Sequence, residues 1–160
     1  MNIAGNFPLT DPLAALLGEW AVTLNPYSVL LRVFMVVLLA SIIGCERSSK
    51  RHSAGLRTFV LIAFSATTAM LLDQFLMAGH PTGLPLLSAA TIVATAMLSG
   101  NSILFSSRGQ IKGLTTSVGL WACVLLGFAV GAGLYTVTLI VFVFLLCILM
   151  CFPSFEIYLL

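Results

Sequence analysis

The sequence predicts an all-α polytopic membrane protein with about five transmembrane helices and a short N-terminal amphipathic helix. Hydrophobic residues make up 60% of the 160-residue chain and charged residues only 8%, whereas about a quarter of the residues in a soluble domain are charged. Apolar stretches of the length that crosses a bilayer follow one another along the chain. Almost all of the Lys and Arg residues are confined to two short segments between these stretches.

Residues 1–25 are predicted to form an amphipathic segment. Thr10-Asp11-Pro12 combines a capping side chain with a proline near the first helical position, which is typical of a helix start. Such a helix lies in the membrane interface, and it lacks the basic residues that begin a signal peptide. Its apolar residues recur at helical spacing, at Leu13, Leu16, Leu17, Trp20 and Leu24.

The transmembrane domain is predicted over residues 26–152, with a short C-terminal tail over residues 153–160. Glycine-containing turns at residues 79–83 and 131–133 separate two pairs of spans. The predicted spans cover residues 27–44, 58–77, 84–105, 114–130 and 134–152.

The basic residues predict the orientation. Arg47, Lys50, Arg51 and Arg57 lie in one loop, and Arg108 and Lys112 lie in another. These loops fall on the same side of the membrane in a five-span count. Because Lys and Arg are enriched in cytoplasmic loops, the N-terminus is expected outside and the C-terminus in the cytoplasm.

Arg32 and Asp73 are candidate functional residues because they lie inside predicted spans. An ionisable group in the bilayer is costly and is often functional. The alternatives for Arg32 are that its side chain reaches the outer headgroups or is neutralised by Asp73.

The first basic loop contains a second candidate site. Glu46 and Arg47 end the first span, and Gly55 and Arg57 precede the second. A pair between Glu46 and Arg57 could close the mouth of this loop. The alternative is a solvated loop that only sets topology.

Hydroxyl residues follow helical spacing in the third span, with Asn101 nearby. Small residues such as Ala94 and Gly100 lie between them. This pattern predicts close helix packing with interhelical hydrogen bonds, or a hydrated path for a small polar species. The hydroxyl residues are Ser88, Thr91, Thr95, Ser99 and Ser102.

Gly127 and Gly131 form a GxxxG pair in the fourth span, which favours close packing within the chain or between copies.

We expect no catalytic residues, no cofactor and no metal site. His52 and His80 lack a paired nucleophile or a metal-ligand partner at useful spacing. The basic loops are too small for a nucleic-acid surface, and contact with anionic lipid headgroups explains them better.

Ordered motifs give the chain a family resemblance. The apolar run from Leu31-Arg32 ends in Gly44-Cys45-Glu46-Arg47, and Ala54-Gly55-Leu56-Arg57-Thr58 follows the basic loop. A second signature combines Lys112 with Gly113-Leu114-Thr115-Thr116 and the later Leu120-Trp121. In order and spacing these motifs resemble those of the MgtC/SapB family, over residues 30–151. The resemblance marks Glu46, Arg47, Gly55, Arg57, Lys112, Gly113, Thr116 and Trp121 as candidate residues of a functional face.

The third span departs from the family pattern. It retains one of that pattern's glycines, at Gly100, and Leu87 stands at the position of the family's arginine. Many family members also carry a cytoplasmic C-terminal domain, which we expect this sequence to lack.

The resemblance implies a bacterial inner-membrane protein linked to growth in low magnesium, to virulence and to restraint of ATP synthase. Our leading hypothesis is a non-enzymatic modulator of another membrane protein. The bilayer and either a membrane-protein partner or a second copy of the chain are its expected contacts. The alternatives are a small transporter or channel subunit for Mg²⁺ or another polar solute, and a membrane enzyme with its site at the mouth of the basic loop.

Overall fold

The computed structural model describes residues 11–49, 54–80, 84–101, 103–105 and 111–159. Apart from two strands of two residues each, its regular elements are α-helices, so the predicted all-α class is confirmed. The elements are α1 (Pro12–Leu17), α2 (Glu19–Val22), α3 (Pro26–Ser49), α4 (Leu56–Gly79), α5 (Leu86–Asn101), β1 (Leu104–Phe105), β2 (Ile111–Lys112), α6 (Leu114–Gly131) and α7 (Tyr135–Leu159).

Helix length and composition identify a polytopic membrane protein. Among the described residues, α3, α4 and α6 are long and apolar enough to cross a bilayer. Shorter apolar helical stretches occupy Leu86–Gly100 in α5 and Tyr135–Cys151 in α7. Large apolar side chains on these helices are exposed, including Leu30, Val93 and Phe144. Such surfaces match the hydrocarbon core of a membrane.

The N-terminal helix begins where the sequence predicts but is divided in two. Asp11 caps α1, because its Oδ1 accepts a hydrogen bond from the Leu13 amide at 3.2 Å. Gly18 ends α1 with a φ of 93°, a left-handed conformation that favours glycine. The chain then resumes as α2 (Glu19–Val22). We call residues 11–25 the N-terminal strap.

The predicted end of the third span is wrong. Its helix α5 ends at Asn101 rather than at Phe105. Leu104 and Phe105 instead form β1, which pairs antiparallel with Lys112 and Ile111 of β2. These pairs give the backbone of residues 104–105 its hydrogen-bond partners outside a helix. At the other end of the chain, α7 continues to Leu159, beyond residue 152.

Helix α6 lies at the centre of the bundle and contacts α3, α4, α5 and α7. Its approach to α4 is close at the GxxxG pair. A Cβ added to Gly127 would lie 2.5 Å from the Ala63 carbonyl oxygen, and one added to Gly131 would lie 2.8 Å from Met70 Cβ. The Thr67 hydroxyl donates to the Gly127 carbonyl at 2.8 Å across this contact. The glycine pair therefore packs two helices of the same chain together.

Candidate functional site

Arg32 of α3 is enclosed by four parts of the chain. The side chain is 1% exposed. Its Nη1 donates to Gln74 Oε1 at 3.0 Å and to the Gly131 carbonyl at 2.8 Å. Nη2 donates to the Ala21 carbonyl at 3.2 Å, and Nε donates to Tyr135 Oη at 3.4 Å. The guanidinium thus ties the strap and the ends of α4, α6 and α7 to α3.

The Ala21 carbonyl is shared by several donors around Arg32. Tyr135 Oη donates to it at 2.9 Å and Ser28 Oγ at 2.8 Å. Gly133, with a φ of 80°, lies against the guanidinium, and a Cβ there would be 3.0 Å from Arg32 Nη2. The backbone of the α6–α7 turn therefore forms one wall of the arginine site.

Asp73 does not neutralise Arg32, so that alternative is wrong. The Asp73 carboxylate is 2% exposed. It accepts hydrogen bonds from the Leu87 amide at 3.0 Å and the Ser88 amide at 2.6 Å. These amides belong to the first turn of α5, where backbone N–H groups lack intrahelical partners. Asp73 therefore caps α5 from the neighbouring helix α4.

Arg47 is the second buried arginine, and it lies toward the opposite end of α3. It is 3% exposed, and its Nε is 3.6 Å from Oε2 of Glu46, whose side chain is 9% exposed. A Cβ added to Gly119 of α6 would lie 3.7 Å from Arg47 Nη2. Arg57 is exposed at the start of α4. The ion pair that the structure gives Glu46 is with its neighbour Arg47, and a pair with Arg57 stays a prediction.

Several of the remaining candidates gather at the same end of the bundle as Arg47. Gly55 caps α4, and its carbonyl accepts from the Thr58 amide at 3.1 Å. Gly113 precedes α6 with a φ of 89°, and Thr116 in the first turn of α6 is buried. We call this region the Arg47 end and the opposite region the Arg32 end.

Trp121, Asn101 and Lys112 are the remaining candidate residues. Trp121 lies on an exposed face of α6. Asn101 ends α5 and Lys112 lies in β2, but their side chains lie outside the described residues, as do Lys50, Arg51, Arg108 and Ser102. The candidates thus divide between two ends of the bundle rather than forming a single cluster.

With this geometry established, the relatives of the chain identify its family. The sequence profile of the MgtC family matches residues 33–158. The chain belongs to the MgtC family. The match begins immediately after Arg32, so the strap lies outside it.

Individual relatives agree with this MgtC family membership. Protein MgtC of Brucella abortus is 33% identical over 111 residues, which are 69% of this chain and 45% of that protein. Protein SapB of Bacillus subtilis is 31% identical over 116 residues, 67% of this chain and 49% of that protein. The putative magnesium transporter YhiD of Escherichia coli is 28% identical over 111 residues, 66% of this chain and 52% of that protein. The chain thus spans about half the length of these relatives. No solved structure matches it.

Sequence reasoning missed most partners of Arg32 in this MgtC family member. The Ala21 and Gly131 carbonyls carry no side-chain signal. Gln74 and Tyr135 were available as polar residues near the predicted ends of spans, and a search for acceptors at the depth of Arg32 would have included them. The hydrogen bonds between Asp11 and Thr136, 125 residues apart, had no sequence signal.

The described residues contain no group of three or more His, Cys, Asp or Glu side chains that could hold a metal ion. The contacts of the buried charged residues described above have structural roles. Buried charges hold the helix ends together, and exposed residues at the Arg47 end are available for contact.

Proposed function

We propose that this chain is a non-enzymatic, multi-pass protein of the bacterial inner membrane that binds and modulates another membrane protein. Its setting is magnesium limitation or virulence, in keeping with relatives named MgtC and putative magnesium transporter. The observation that carries the proposal is the arrangement of charge at the Arg47 end. Arg47 and Glu46 are buried together, whereas Arg57 is exposed at the start of the next helix.

These charged residues differ in exposure, and the difference favours a binding role. The Glu46–Arg47 contact is internal, so it organises the end of α3 without reaching a partner. Arg57 and the neighbouring Leu56 are exposed, and Leu114 at the start of α6 is exposed as well. An arginine beside apolar side chains is a common composition for the centre of a protein interface. We call Leu56, Arg57 and Leu114 the Arg57 surface.

The proposed partner is ATP synthase, and its proton pumping provides the test. In inverted membrane vesicles, ATP-driven acidification should be slower with the wild-type chain than without it. Arg57→Glu should restore the rate, because a reversed charge on the Arg57 surface weakens the contact with ATP synthase. His80→Glu is the matched control, since His80 is exposed at the other end of α4. Unchanged pumping with the wild-type chain would rule out this partner.

Capture of the partner does not depend on its identity. A photo-crosslinking amino acid at Leu114 should yield an adduct with another membrane protein in native membranes. The same amino acid at Ile140, which is exposed on α7, serves as the control. If Leu114 gives only adducts between copies of the chain, the binding proposal fails.

Topology is tested separately. Reporter fusions after Ser49 and after Gly79 should lie on opposite sides of the membrane, with the first in the cytoplasm. These positions follow the first and second long helices, α3 and α4. Signals from the same side would contradict the proposed orientation.

A small transporter or channel subunit for Mg²⁺ or another polar solute is the second candidate. Ser99 of α5 favours it, because its hydroxyl is buried and has no hydrogen-bond partner among the described residues. A water molecule or a passing solute would satisfy this oxygen. Protein in liposomes that contain a Mg²⁺-sensitive dye should then admit the ion, and Ser99→Ala should slow entry. Vesicles that stay tight to Mg²⁺ exclude transport of this ion.

A further inference from the structure

A groove between α4 and α5 combines a lipid-facing position with hydroxyl side chains. It has a volume of about 270 Å³ and lies beside the middle of α4. Ser65, Thr68 and Thr91 line it among the apolar side chains of Phe64, Leu72 and Leu87. Polar groups that face hydrocarbon are unfavourable unless they are hydrogen-bonded. We call this feature the α4–α5 groove.

The three hydroxyls satisfy their hydrogen atoms within their own helices. Ser65 Oγ donates to the Leu61 carbonyl at 2.8 Å. Thr68 Oγ1 donates to the Phe64 carbonyl at 2.9 Å, and Thr91 Oγ1 donates to the Leu87 carbonyl at 2.7 Å. A hydroxyl has one hydrogen to donate and two lone pairs that accept. The groove therefore presents hydrogen-bond acceptors and no hydroxyl donors.

We propose that the α4–α5 groove binds a transmembrane helix of another membrane protein, one that carries an N–H or O–H donor on its contacting face. This inference rests on the proposed function and names the partner's chemistry. Hydroxyl and small residues are enriched where transmembrane helices pack together. A side-chain amide suits the groove best, because its NH₂ group has two donors and the groove has more than one hydroxyl acceptor.

The same hydrogen-bond pattern disfavours the other possible occupants. A lipid tail has no donor to offer. A second copy of the chain, docked through the same groove, would bring hydroxyls whose hydrogens are already committed, so acceptors would face acceptors. Small residues allow a foreign helix to approach closely, since Ala69 lines the groove and Ala90 and Ala94 are exposed on the same helix as Thr91.

Model transmembrane peptides test this chemistry directly. The probe is a polyleucine helix of about 20 residues with one central Gln, and the control peptide has Met at that position. Energy transfer from the labelled chain to each labelled peptide is measured in lipid vesicles. The wild-type chain should bind the Gln peptide about threefold more tightly for each hydrogen bond formed.

Variants of the hydroxyls locate the effect. Thr68→Val with Thr91→Val keeps the side-chain shape and leaves Ser65 as the one hydroxyl acceptor in the lining, so the preference for Gln should fall to that of at most one hydrogen bond. Thr115→Val is the matched control, because Thr115 is exposed on α6 and does not line the groove. Thr91→Val alone replaces the double variant if the latter fails to insert, and it should reduce the preference.

The outcomes distinguish this proposal from the proposed function. Equal binding of the two peptides, or a Gln preference that the valine variants leave undiminished, overturns the groove proposal. Energy transfer between two labelled copies that is lost with Thr91→Val would show that a second copy occupies the groove, and it would also overturn the proposal. Crosslinking at Leu114 reports on the proposed function independently, so a partner captured there without a Gln preference leaves that function intact.

Discussion

The two buried arginines of α3 are accommodated in opposite ways. Arg32 donates to neutral acceptors that are brought together from distant parts of the chain, among them the Ala21 and Gly131 carbonyls. Arg47 lies beside the carboxylate of the residue that precedes it, Glu46. One site is therefore assembled by the tertiary fold, and the other contains its counter-ion within a single helix.

This difference predicts different responses to substitution. At the Arg32 end, the charge connects four segments to α3 through directional bonds, so its removal breaks several tertiary contacts at once. At the Arg47 end, the charge lies beside a counter-ion on the same helix, so the two can be replaced together. Buried ion pairs often add little net stability compared with apolar residues of similar size.

Arg32→Leu should have the largest effect on folding. Hydrogen bonds to charged groups contribute about 1.5–3 kcal/mol each in water-soluble proteins and less in membranes. Loss of the four bonds from Arg32 should lower the free energy of unfolding by about 4 kcal/mol. Titration of the protein in mixed micelles with SDS measures this change.

Arg57→Leu is the control for this prediction, since Arg57 is exposed. Its free energy of unfolding should change by less than about 0.5 kcal/mol. Equal effects of the two substitutions would show that the bonds around Arg32 do not stabilise the fold, and the contrast between the two arginines would lose its basis.

The two sites also differ in how far sequence can predict them. Arg32, Asp73 and Arg47 are conspicuous because ionisable residues are rare in apolar runs. Their partners are less accessible to sequence reasoning. Arg32 and Tyr135 are 103 residues apart, and the two amides bound by Asp73 are backbone groups, so neither contact has a local pattern. An ion pair between adjacent residues was available to sequence reasoning, but a pair across the loop was predicted instead.

The secondary-structure elements also differ in how far the sequence predicts them. The long spans were predictable because a bilayer requires long apolar runs, which hydropathy detects directly. The break at Gly18 and the β1–β2 pair depend on backbone conformation and on partners elsewhere in the chain. The apolar run continues through Leu104 and Phe105, and composition alone could not separate that strand from the preceding helix.

Gly127→Ala should have the next largest effect and should disturb both arginine sites. The new methyl group would meet the Ala63 carbonyl oxygen at 2.5 Å, and this backbone atom cannot move away without shifting α4. Overpacking of this kind costs about 1–3 kcal/mol, and we expect a value near the upper limit. SDS titration provides the measurement.

Gly100→Ala is the matched substitution, because a Cβ at Gly100 has no heavy atom within 4 Å. It should leave stability unchanged or raise it by up to about 1 kcal/mol, since alanine favours a helix more than glycine does. Destabilisation by both substitutions to the same extent would point to a general intolerance of alanine rather than to the α4–α6 contact.

Glu46→Gln should have a smaller effect, confined to the Arg47 end. The amide keeps the shape of the side chain, but the guanidinium loses its negative neighbour, so the free energy of unfolding should fall by about 2 kcal/mol. Replacing the pair together, as Glu46→Leu with Arg47→Met, should recover most of the loss. No such recovery is expected when Arg32→Leu is combined with Gln74→Leu, because other acceptors remain. Recovery at both sites would remove the distinction between them.

Asp11→Ala should have the smallest effect, because it loosens only the strap that covers Arg32. Asp11 accepts hydrogen bonds from the Thr136 amide at 3.1 and 2.9 Å, from the Thr136 hydroxyl and from the Leu13 amide. Loss of a helix cap costs about 1 kcal/mol. Hydrogen exchange of the α1 amides should therefore accelerate while the amides at the centre of α6 remain protected. Acceleration throughout the bundle would show that the strap is not a separate unit.

The strap should also respond to pH in a defined direction. Burial raises the pKa of Asp11, but the hydrogen bonds from Thr136 and Leu13 outweigh this effect and leave the pKa below its ordinary value. The stabilisation from Asp11 is therefore complete above pH about 4 and is lost as the pH falls through the lowered pKa of the folded protein. Trp20 fluorescence, measured in a Trp121→Phe background, should report this release. Asp11→Asn should abolish the transition, because an amide does not titrate in this range. If the transition persists in the Asn variant, another carboxylate controls the strap, and Glu19 within it is the nearest in sequence.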